Sequence, residues 1–315
     1  MDGPLPTGRP TSVEAGRATS EDLVTNAWPA EVQPQPAMEL NAFADLVWAR
    51  GMEQYRDLPW RHTRDPYAVW ISEVMLQQTQ VSRVDGRWQR WLDRFPTVEA
   101  LAQASQADVL AEWQGMGYNR RALALHHAAG LVVQAGEFPT CVKDLMALPG
   151  IGPATAAGIR AFAFNLPGVY LETNVRSVFL HELYPNEINV PDKRLVPLVE
   201  AACPRDDVRG WYYALLDYGA WLKRTTSNPS RRSRTHTRQS EFKGSHRQKR
   251  AAVVRMLLAA HDAGEGLCAK TVARELTCQE EADGRDAVSV EYASKILSEL
   301  EAEGFCSCSS GEWVM

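Results

Sequence analysis

The chain has 315 residues, enough for two domains with cores of their own, and its 45% hydrophobic content is that of an ordinary globular protein. A net charge of −5 does not advertise a polyanionic partner, though the field at a binding face depends on where charges lie, not on their sum. No run of about 18 apolar residues is present, so no membrane span is expected, and the scattered Cys141, Cys203, Cys268, Cys278, Cys306 and Cys308 lack metal-ligand spacing and read as reduced thiols.

Residues 1–37 are rich in Pro, Gly, Thr and Glu and are expected to form a disordered tail without a leader sequence. Helical spacing of apolar residues predicts an amphipathic helix over 38–56. Two prolines, Pro59 and Pro66, then frame a turn, with Pro66 placed to start a helix. That helix is expected over 67–80, with Tyr67, Trp70, Ile71, Val74 and Met75 on its buried face. Glu73 lies in the same apolar stretch. A buried carboxylate there suits a general acid, because burial raises its pKa; periodicity alone instead favours a Glu on the solvent side. Gln77, Gln78, Thr79 and Gln80 form a polar cluster that reads either as a solvated helix end or as a group that hydrogen-bonds base edges or wedges into a duplex.

A helix is predicted over 81–95, with Trp88, Trp91 and Phe95 in the core, and short helices follow near 97 and over 107–113. Next comes W-Q-G-M-G-Y-N-R-R-A. Its G-x-G turn, with Tyr118, Arg120 and Arg121, suits stacking and phosphate contact; the alternative is a plain turn with Tyr118 packed inward. A helix over 119–135 carries His126 and His127, which point in different directions and make no metal site.

Leu148-Pro149-Gly150-Ile151-Gly152 is a tight hairpin between two helices spanning 142–164. Its glycines let a phosphate backbone approach, and the following helix offers unpaired N–H groups. Glu172-Thr173-Asn174 opens another helix, with Thr173 or Asn174 as the candidate cap; the carboxylate serves either chemistry or the helix dipole. Helices are predicted over 174–184, 191–202 and 206–222. Residues 223–250 hold ten Lys or Arg and one acidic residue, Glu241, which reads as a phosphate-binding segment or as a solubilising linker. The remainder, 247–315, predicts helices over 247–262, 269–276 and 288–303, a polar loop at Glu280–Asp286 and a terminal hairpin, the pattern of a winged helix-turn-helix.

The runs L-P-W-R, D-P-Y-A-V-W-I-S-E-V-M-L-Q-Q-T-Q-V, W-Q-G-M-G-Y-N-R-R-A-L, L-P-G-I-G-P-A-T-A-A-G-I and E-T-N-V-R occur in one order. Over about residues 40–222 they closely resemble the adenine DNA glycosylases of the MutY type, in the helix-hairpin-helix superfamily with endonuclease III. The resemblance implies an all-α, two-lobed helix-hairpin-helix glycosylase fold, here with a small C-terminal winged-helix-like domain. The expected segments are a tail (1–37), a glycosylase domain (38–222), a basic linker (223–246) and the winged-helix-like domain (247–315). The implied activity is base-excision repair: hydrolysis of the N-glycosidic bond of adenine mispaired with guanine or 8-oxoguanine in double-stranded DNA. Glu73 matches the glutamate that protonates the leaving adenine, and Asn174 matches an asparagine that orients the catalytic carboxylate. Gln78 falls in the duplex-wedging segment, Tyr118 matches the tyrosine inserted beside the mispair, and Gly150 and Gly152 belong to the phosphate anchor. Gln77, Thr79 and Arg120 join them as expected DNA contacts. Ala154 stands where bifunctional relatives carry a lysine, which predicts a monofunctional enzyme.

Three departures from the family pattern stand out. Glu172 replaces the family's catalytic aspartate, so the acid is longer by one methylene. The family's four cysteines for an iron–sulfur cluster are missing after residue 222, which predicts no cofactor, with Arg231, Arg232 and Arg234 taking over the cluster loop's role at phosphate. A winged helix stands where typical members carry the domain that reads oxidised guanine. The alternatives are a mismatch glycosylase acting on uracil or thymine opposite guanine, and a non-catalytic binder of damaged DNA. A monomer in the bacterial cytosol or nucleoid, with no membrane partner, is expected.

Overall fold

The computed structural model describes residues 28–32, 35–237 and 241–315, so most of the expected tail lies outside the described residues. Its described end is anchored. Trp28 is buried, donates its indole N–H to the Met38 carbonyl at 2.6 Å, and meets Phe43 edge-on with ring centroids 5.6 Å apart. The ordered chain therefore begins before residue 38, because one large aromatic supplies the burial that the average composition of the segment hides.

The described residues form helices α1 (Leu40–Glu53), α2 (Pro66–Leu76), α3 (Val81–Val84), α4 (Arg87–Arg94), α5 (Val98–Gln103), α6 (Gln106–Glu112), α7 (Arg120–Ala135), α8 (Val142–Ala147) and α9 (Pro153–Phe164). They continue through α10 (Thr173–Leu183), α11 (Asp192–Ala202), α12 (Val208–Thr225), α13 (His246–Ala263), α14 (Ala269–Ala282) and α15 (Val290–Ala302), and end in a hairpin of β1 (Ser307–Ser309) and β2 (Glu312–Val314). Contacts divide them into two compact units. One holds the described residues up to Tyr55 with Asn165–Thr235; the other holds Arg56–Phe164 with His236–Met315. This partition cuts across the linear segments expected from the sequence: residues 38–222 fall in both units, and 247–315 share a unit with 56–164.

In the first unit, α12 packs against both α1 and α10. Glycine makes each approach close. A Cβ at Gly51 would lie 2.5 Å from the Ala214 Cα, and one at Gly219 would lie 2.6 Å from the Asn174 carbonyl carbon. Phe43 meets Phe179 with ring centroids 4.8 Å apart and Trp48 meets Trp211 at 5.7 Å, both pairs steeply tilted, filling the space between helices. Beyond α12 the chain does not leave as a linker. A 3-10 turn at Pro229–Arg232 packs on α10, and Val190 exchanges backbone hydrogen bonds with this segment, its N–H donating to Arg232 at 3.0 Å and its carbonyl accepting from Arg234 at 2.9 Å.

In the second unit, α2 is the central element. Asp65 caps it through the N–H groups of Tyr67 and Ala68, and Pro66 takes the first helical position, where its missing N–H costs nothing. All nine residues from Tyr67 to Met75 are buried. Tyr67 donates its hydroxyl to Phe95 O at 2.8 Å, and Trp88 its indole N–H to Ala68 O at 2.9 Å, tying α4 to α2. The helix expected over 81–95 is broken into α3 and α4 at Gly86, whose φ is 73°.

The core around α2 is continuous with that of the C-terminal segment, where Val253, Leu257, Val272, Ile296, Leu297 and Trp313 are buried. Three helices and a hairpin form there as expected, and Leu267 pairs with Trp313 beside the hairpin. Helix α14 runs past its expected end at 276 and into the expected polar loop as far as Ala282, so Glu280 is helical and buried. Its carboxylate accepts from Lys249 Nζ at 2.7 Å and from both Arg285 Nε at 2.7 Å and a terminal Arg285 nitrogen at 2.9 Å. The Arg285 hydrogen bonds and the Lys249 ammonium hold its pKa at about 2, against the opposing effect of burial. A depressed carboxylate pKa contributes stability that is full above the unfolded value of 4.5 and is lost as pH falls from there through about 2. Glu280→Gln is expected to lower the thermal midpoint at neutral pH by several degrees and to flatten its decline over that acid window, as scanning calorimetry at stepped pH would read. An unchanged acid limb would assign the decline to other carboxylates.

Candidate active site and nucleic-acid interface

Glu73 stands on α2 with only 9% of its surface exposed. Periodicity alone would place it on a solvent face, but α2 has none, because it is packed all round. Helix α2 stops at Leu76, four residues short of the expected end. The polar cluster after it is a turn: Gln77 has left the helical conformation, and Gln78 is exposed with a left-handed φ of 53°. A second such turn lies at Gly115, Gly117 and Tyr118, with φ of 83°, 74° and 50°. Tyr118 does not pack inward; it is 43% exposed. Left-handed backbone at a bulky non-glycine residue is uncommon and clusters at functional sites.

One buried side chain joins the two turns. Arg121 Nη1 donates to the carbonyls of Val74 at 2.8 Å, Met75 at 3.2 Å and Gln77 at 2.7 Å. Its Nη2 donates to Thr79 Oγ1 at 3.1 Å and to the carbonyls of Met116 at 3.2 Å and Gly117 at 3.0 Å. The guanidinium also lies 5.1 Å from the Trp113 ring centroid and 5.5 Å from that of Tyr118. It thus meets carbonyls left open at the C-terminus of α2, where a cation is favoured. Burial pushes its pKa down to about 10, so it stays charged at neutral pH. The sequence motif presents Arg120 and Arg121 side by side, and the expected DNA contact was Arg120. The structure gives the buried positioning role to Arg121 and turns Arg120 to a bidentate pair with Glu303, at 2.7 and 2.6 Å.

The hairpin abuts the same end of α2. Gln77 donates to Thr155 Oγ1 at 2.9 Å, so its amide braces the hairpin from within instead of standing free for a base. Thr79 likewise spends its hydroxyl on Arg121 and on the Gln77 carbonyl. Gly150 and Gly152 have different reasons to be glycine. Gly150 has φ of 78°, and a Cβ there would lie 2.9 Å from Ala124 Cβ. At Gly152 a Cβ would meet nothing within 4 Å. Internal packing does not require that glycine.

In the other unit, Glu172 is itself the N-cap of α10, in place of the expected Thr173 or Asn174. Its Oε1 accepts from the backbone N–H groups of Asn174 and, at 2.9 Å, Val175, while Oε2 accepts from Asn174 Nδ2 at 3.3 Å. Lys223 Nζ donates to Asn174 Oδ1 at 3.0 Å. The residue is partly exposed but its carboxylate is enclosed. Burial pushes its pKa up, opposed by the Val175 N–H, Lys223, the Asn174 N–H and Arg176. Lys223 was not foreseen as a site residue. Its signal was present: it follows Gly219 by four residues, so both fall on the α12 face that meets Asn174.

The three arginines of the basic run do not share one role. Arg231 and Arg234 are exposed. Arg232 instead faces the C-terminal end of α10, donating to the carbonyls of Leu180 at 2.7 Å, Pro185 at 2.9 Å and Glu187 at 3.2 Å, and to that of Tyr184. It closes carbonyls that the helix leaves open and is removed from the expected phosphate contacts. Among the described residues no cluster of three or more His, Cys, Asp or Glu side chains forms a metal site, and no helix is long and apolar enough to cross a membrane.

Residues 71–197, which include Glu73, both left-handed turns, the hairpin and Glu172, match the family described as HhH-GPD superfamily base excision DNA repair protein. This stretch belongs to that superfamily. An adenine DNA glycosylase of Mycolicibacterium smegmatis is 40% identical over 173 residues, covering 52% of this chain and 58% of that protein. One of Buchnera aphidicola is 36% identical over 171 residues, covering 53% of this chain and 48% of its own. The chain thus spans about half the length of these relatives. The superfamily fold recurs in the structure of a thermostable thymine-DNA glycosylase, with a TM-score of 0.51 and 26% identity over 57% of this chain and 86% of that one.

Removing the Arg121 guanidinium withdraws a donor from six acceptors at the joined turns, of which the Val74, Gln77 and Gly117 carbonyls keep another. Arg121→Ala is expected to cost several kcal/mol, since each buried acceptor left without a donor costs roughly 1–3 kcal/mol, read as a lower urea midpoint at unchanged slope. Arg121→Lys, which cannot fan its donors over two turns, is expected to fall between. A midpoint unmoved by either change would mean that the turns hold themselves.

Proposed function

We propose that the chain is a monofunctional DNA N-glycosylase that hydrolyses the bond between deoxyribose and adenine mispaired with guanine or 8-oxoguanine. The observation that carries this reading is the enclosed Glu73 on a helix whose end is clamped to an exposed, left-handed Gln78–Tyr118 pair of turns and braced against a glycine hairpin. An acid, stacking and wedging groups and a phosphate anchor thus occur together in one unit, within the stretch that matches a base-excision repair family. The names of the curated relatives supply the base, adenine.

In this reading the flipped adenine receives a proton from Glu73 as the C1′–N9 bond breaks, so that the bond's electron pair leaves with a neutral base. Positive charge then develops on the sugar. By the family resemblance, Glu172 supplies a carboxylate that offsets this charge, as in glycoside hydrolysis, and water adds to C1′ with loss of a proton. Its Oε1 is held by two helix N–H groups, and Asn174, itself held by Lys223, orients Oε2. The extra methylene relative to aspartate thus ends at a carboxylate with a defined position. Ala154 offers no amine for a Schiff base, so base release without strand cleavage is expected.

Glu73→Gln is expected to reduce single-turnover release of adenine opposite 8-oxoguanine or guanine by at least about a hundredfold, the usual scale of a general acid. Thymine and uracil opposite guanine serve as controls for the alternative substrates. Wild-type protein that binds these duplexes but releases no base from any of them would leave a damage-binding protein instead.

The reading includes no iron–sulfur cluster. No cysteine lies between Cys203 and Cys268, and the segment after α12 is pinned by Arg232 and by the exchange with Val190, so the residues present do not fit a four-cysteine site there. Purified protein is expected to show no absorption band near roughly 400 nm; such a band, retained on gel filtration, would overturn this part.

A further inference from the structure

The C-terminal segment reaches the Tyr118 turn through one residue. Arg247, in the first turn of α13, donates from Nη1 to the Tyr118 hydroxyl at 3.2 Å. The ring is thereby held from two sides, since the buried Arg121 guanidinium lies 5.5 Å from its centroid. We propose that Arg247 is a positioning residue for the Tyr118 ring, so that the C-terminal segment sets how firmly the chain grips a duplex at a mispair. The proposal rests on the reading of Tyr118 as a stacking group for DNA.

Three observations support it. First, the other cations of this helix end are committed within the protein. Lys249 pairs with Glu280 at 2.7 Å, and Arg250 pairs with Glu299 at 3.0 Å and Glu303 at 2.6 Å. Arg247 alone of the three is directed at the turn. Second, the frame that carries Arg247 is fixed to the helix that follows Tyr118. Glu303 accepts from Arg120, the first residue of α7, as well as from Arg250, and Gln106 donates to the carbonyls of Gly304 at 2.9 Å and Phe305 at 3.1 Å. Small motions of α13 and of the Tyr118 turn are therefore coupled. Third, the ring needs such a restraint. It is an exposed aromatic on a left-handed residue, next to a glycine that is also left-handed, where a ring has several staggered rotamers open to it. A stacking group that is already aligned loses less entropy when a base lands on it. An arginine at its hydroxyl end also places positive charge where the adjoining phosphate of a stacked strand would pass.

The test is a double-mutant cycle on the full chain with Arg247→Ala, Tyr118→Phe and both, using a duplex with adenine opposite guanine and 2-aminopurine beside the mispair. Each single variant is expected to raise Kd about five- to tenfold and to reduce the 2-aminopurine fluorescence gain that reports unstacking, with the double variant no worse than either single one. Arg247→Lys is expected to recover part of the loss. For Arg247→Ala the rate of base release at saturating enzyme is expected to change less than about twofold, which separates positioning at binding from a defect in chemistry. Thermal midpoints matching the wild type would exclude misfolding as the cause. Additive losses in the cycle, or a wild-type Kd for Arg247→Ala with base release intact, would overturn the proposal and leave the glycosylase reading standing. A wild-type chain that neither distinguishes the mispair from a matched duplex nor releases a base would overturn that reading, and this proposal with it.

Discussion

The buried guanidinium of Arg121 is the constraint on which the two left-handed turns of the second unit depend. Its donors reach α2, the turn after α2 and the turn before α7 at once. Without it, two segments far apart in sequence, each with strained backbone, have no common reference. With it, Gln78 and Tyr118 become two points on one rigid edge, and the helix that ends at this edge is the one that carries Glu73. A single cation therefore registers the acid against the residues read as duplex contacts. Arginine is the side chain suited to this, because its planar fork stays charged under burial and addresses several acceptors in fixed directions.

The other unit solves a comparable problem at both ends of one helix. Glu172 closes the N-terminus of α10 and Arg232 its C-terminal end. Between them, Gly219 of α12 lets the Asn174 backbone approach closer than any side chain would allow. The position of the Glu172 carboxylate is thus set by a helix fixed at its start, its finish and its flank. Only Oε2 is spared from backbone capping.

Much of this was legible in the sequence, and the gaps have physical causes. The glycine hairpin, the capped start of α2 and the aromatic core residues follow from turn chemistry and periodicity, which act locally. Glu73 did not follow from periodicity, since a helix buried all round has no polar face to betray an inward carboxylate; only its place in a family motif singled it out. Gln77 and Thr79 looked like surface polar residues because composition does not tell whether an amide faces solvent or a neighbouring hairpin. Arg232 could not be told from Arg231 and Arg234, as charge counts do not say which of several arginines finds open helix carbonyls. Arg121 was passed over for Arg120 for a related reason: adjacent helical residues face different ways, and the motif does not say which one is buried. Trp28 was lost in an average over a polar segment.

The shared use of Glu303 bears on how such a chain is inherited. Arg120 and Arg250 both pair with that one carboxylate, and the apolar residues of α13–α15 belong to the same core as those around α2. A segment that merely hung from a linker would be free to be exchanged by recombination or trimmed by a premature stop. Here either event would expose core and leave Arg120 without its Glu303 partner. The last seventy or so residues are accordingly not an accessory but part of the folding unit that carries Glu73, and selection on the one must act on the other.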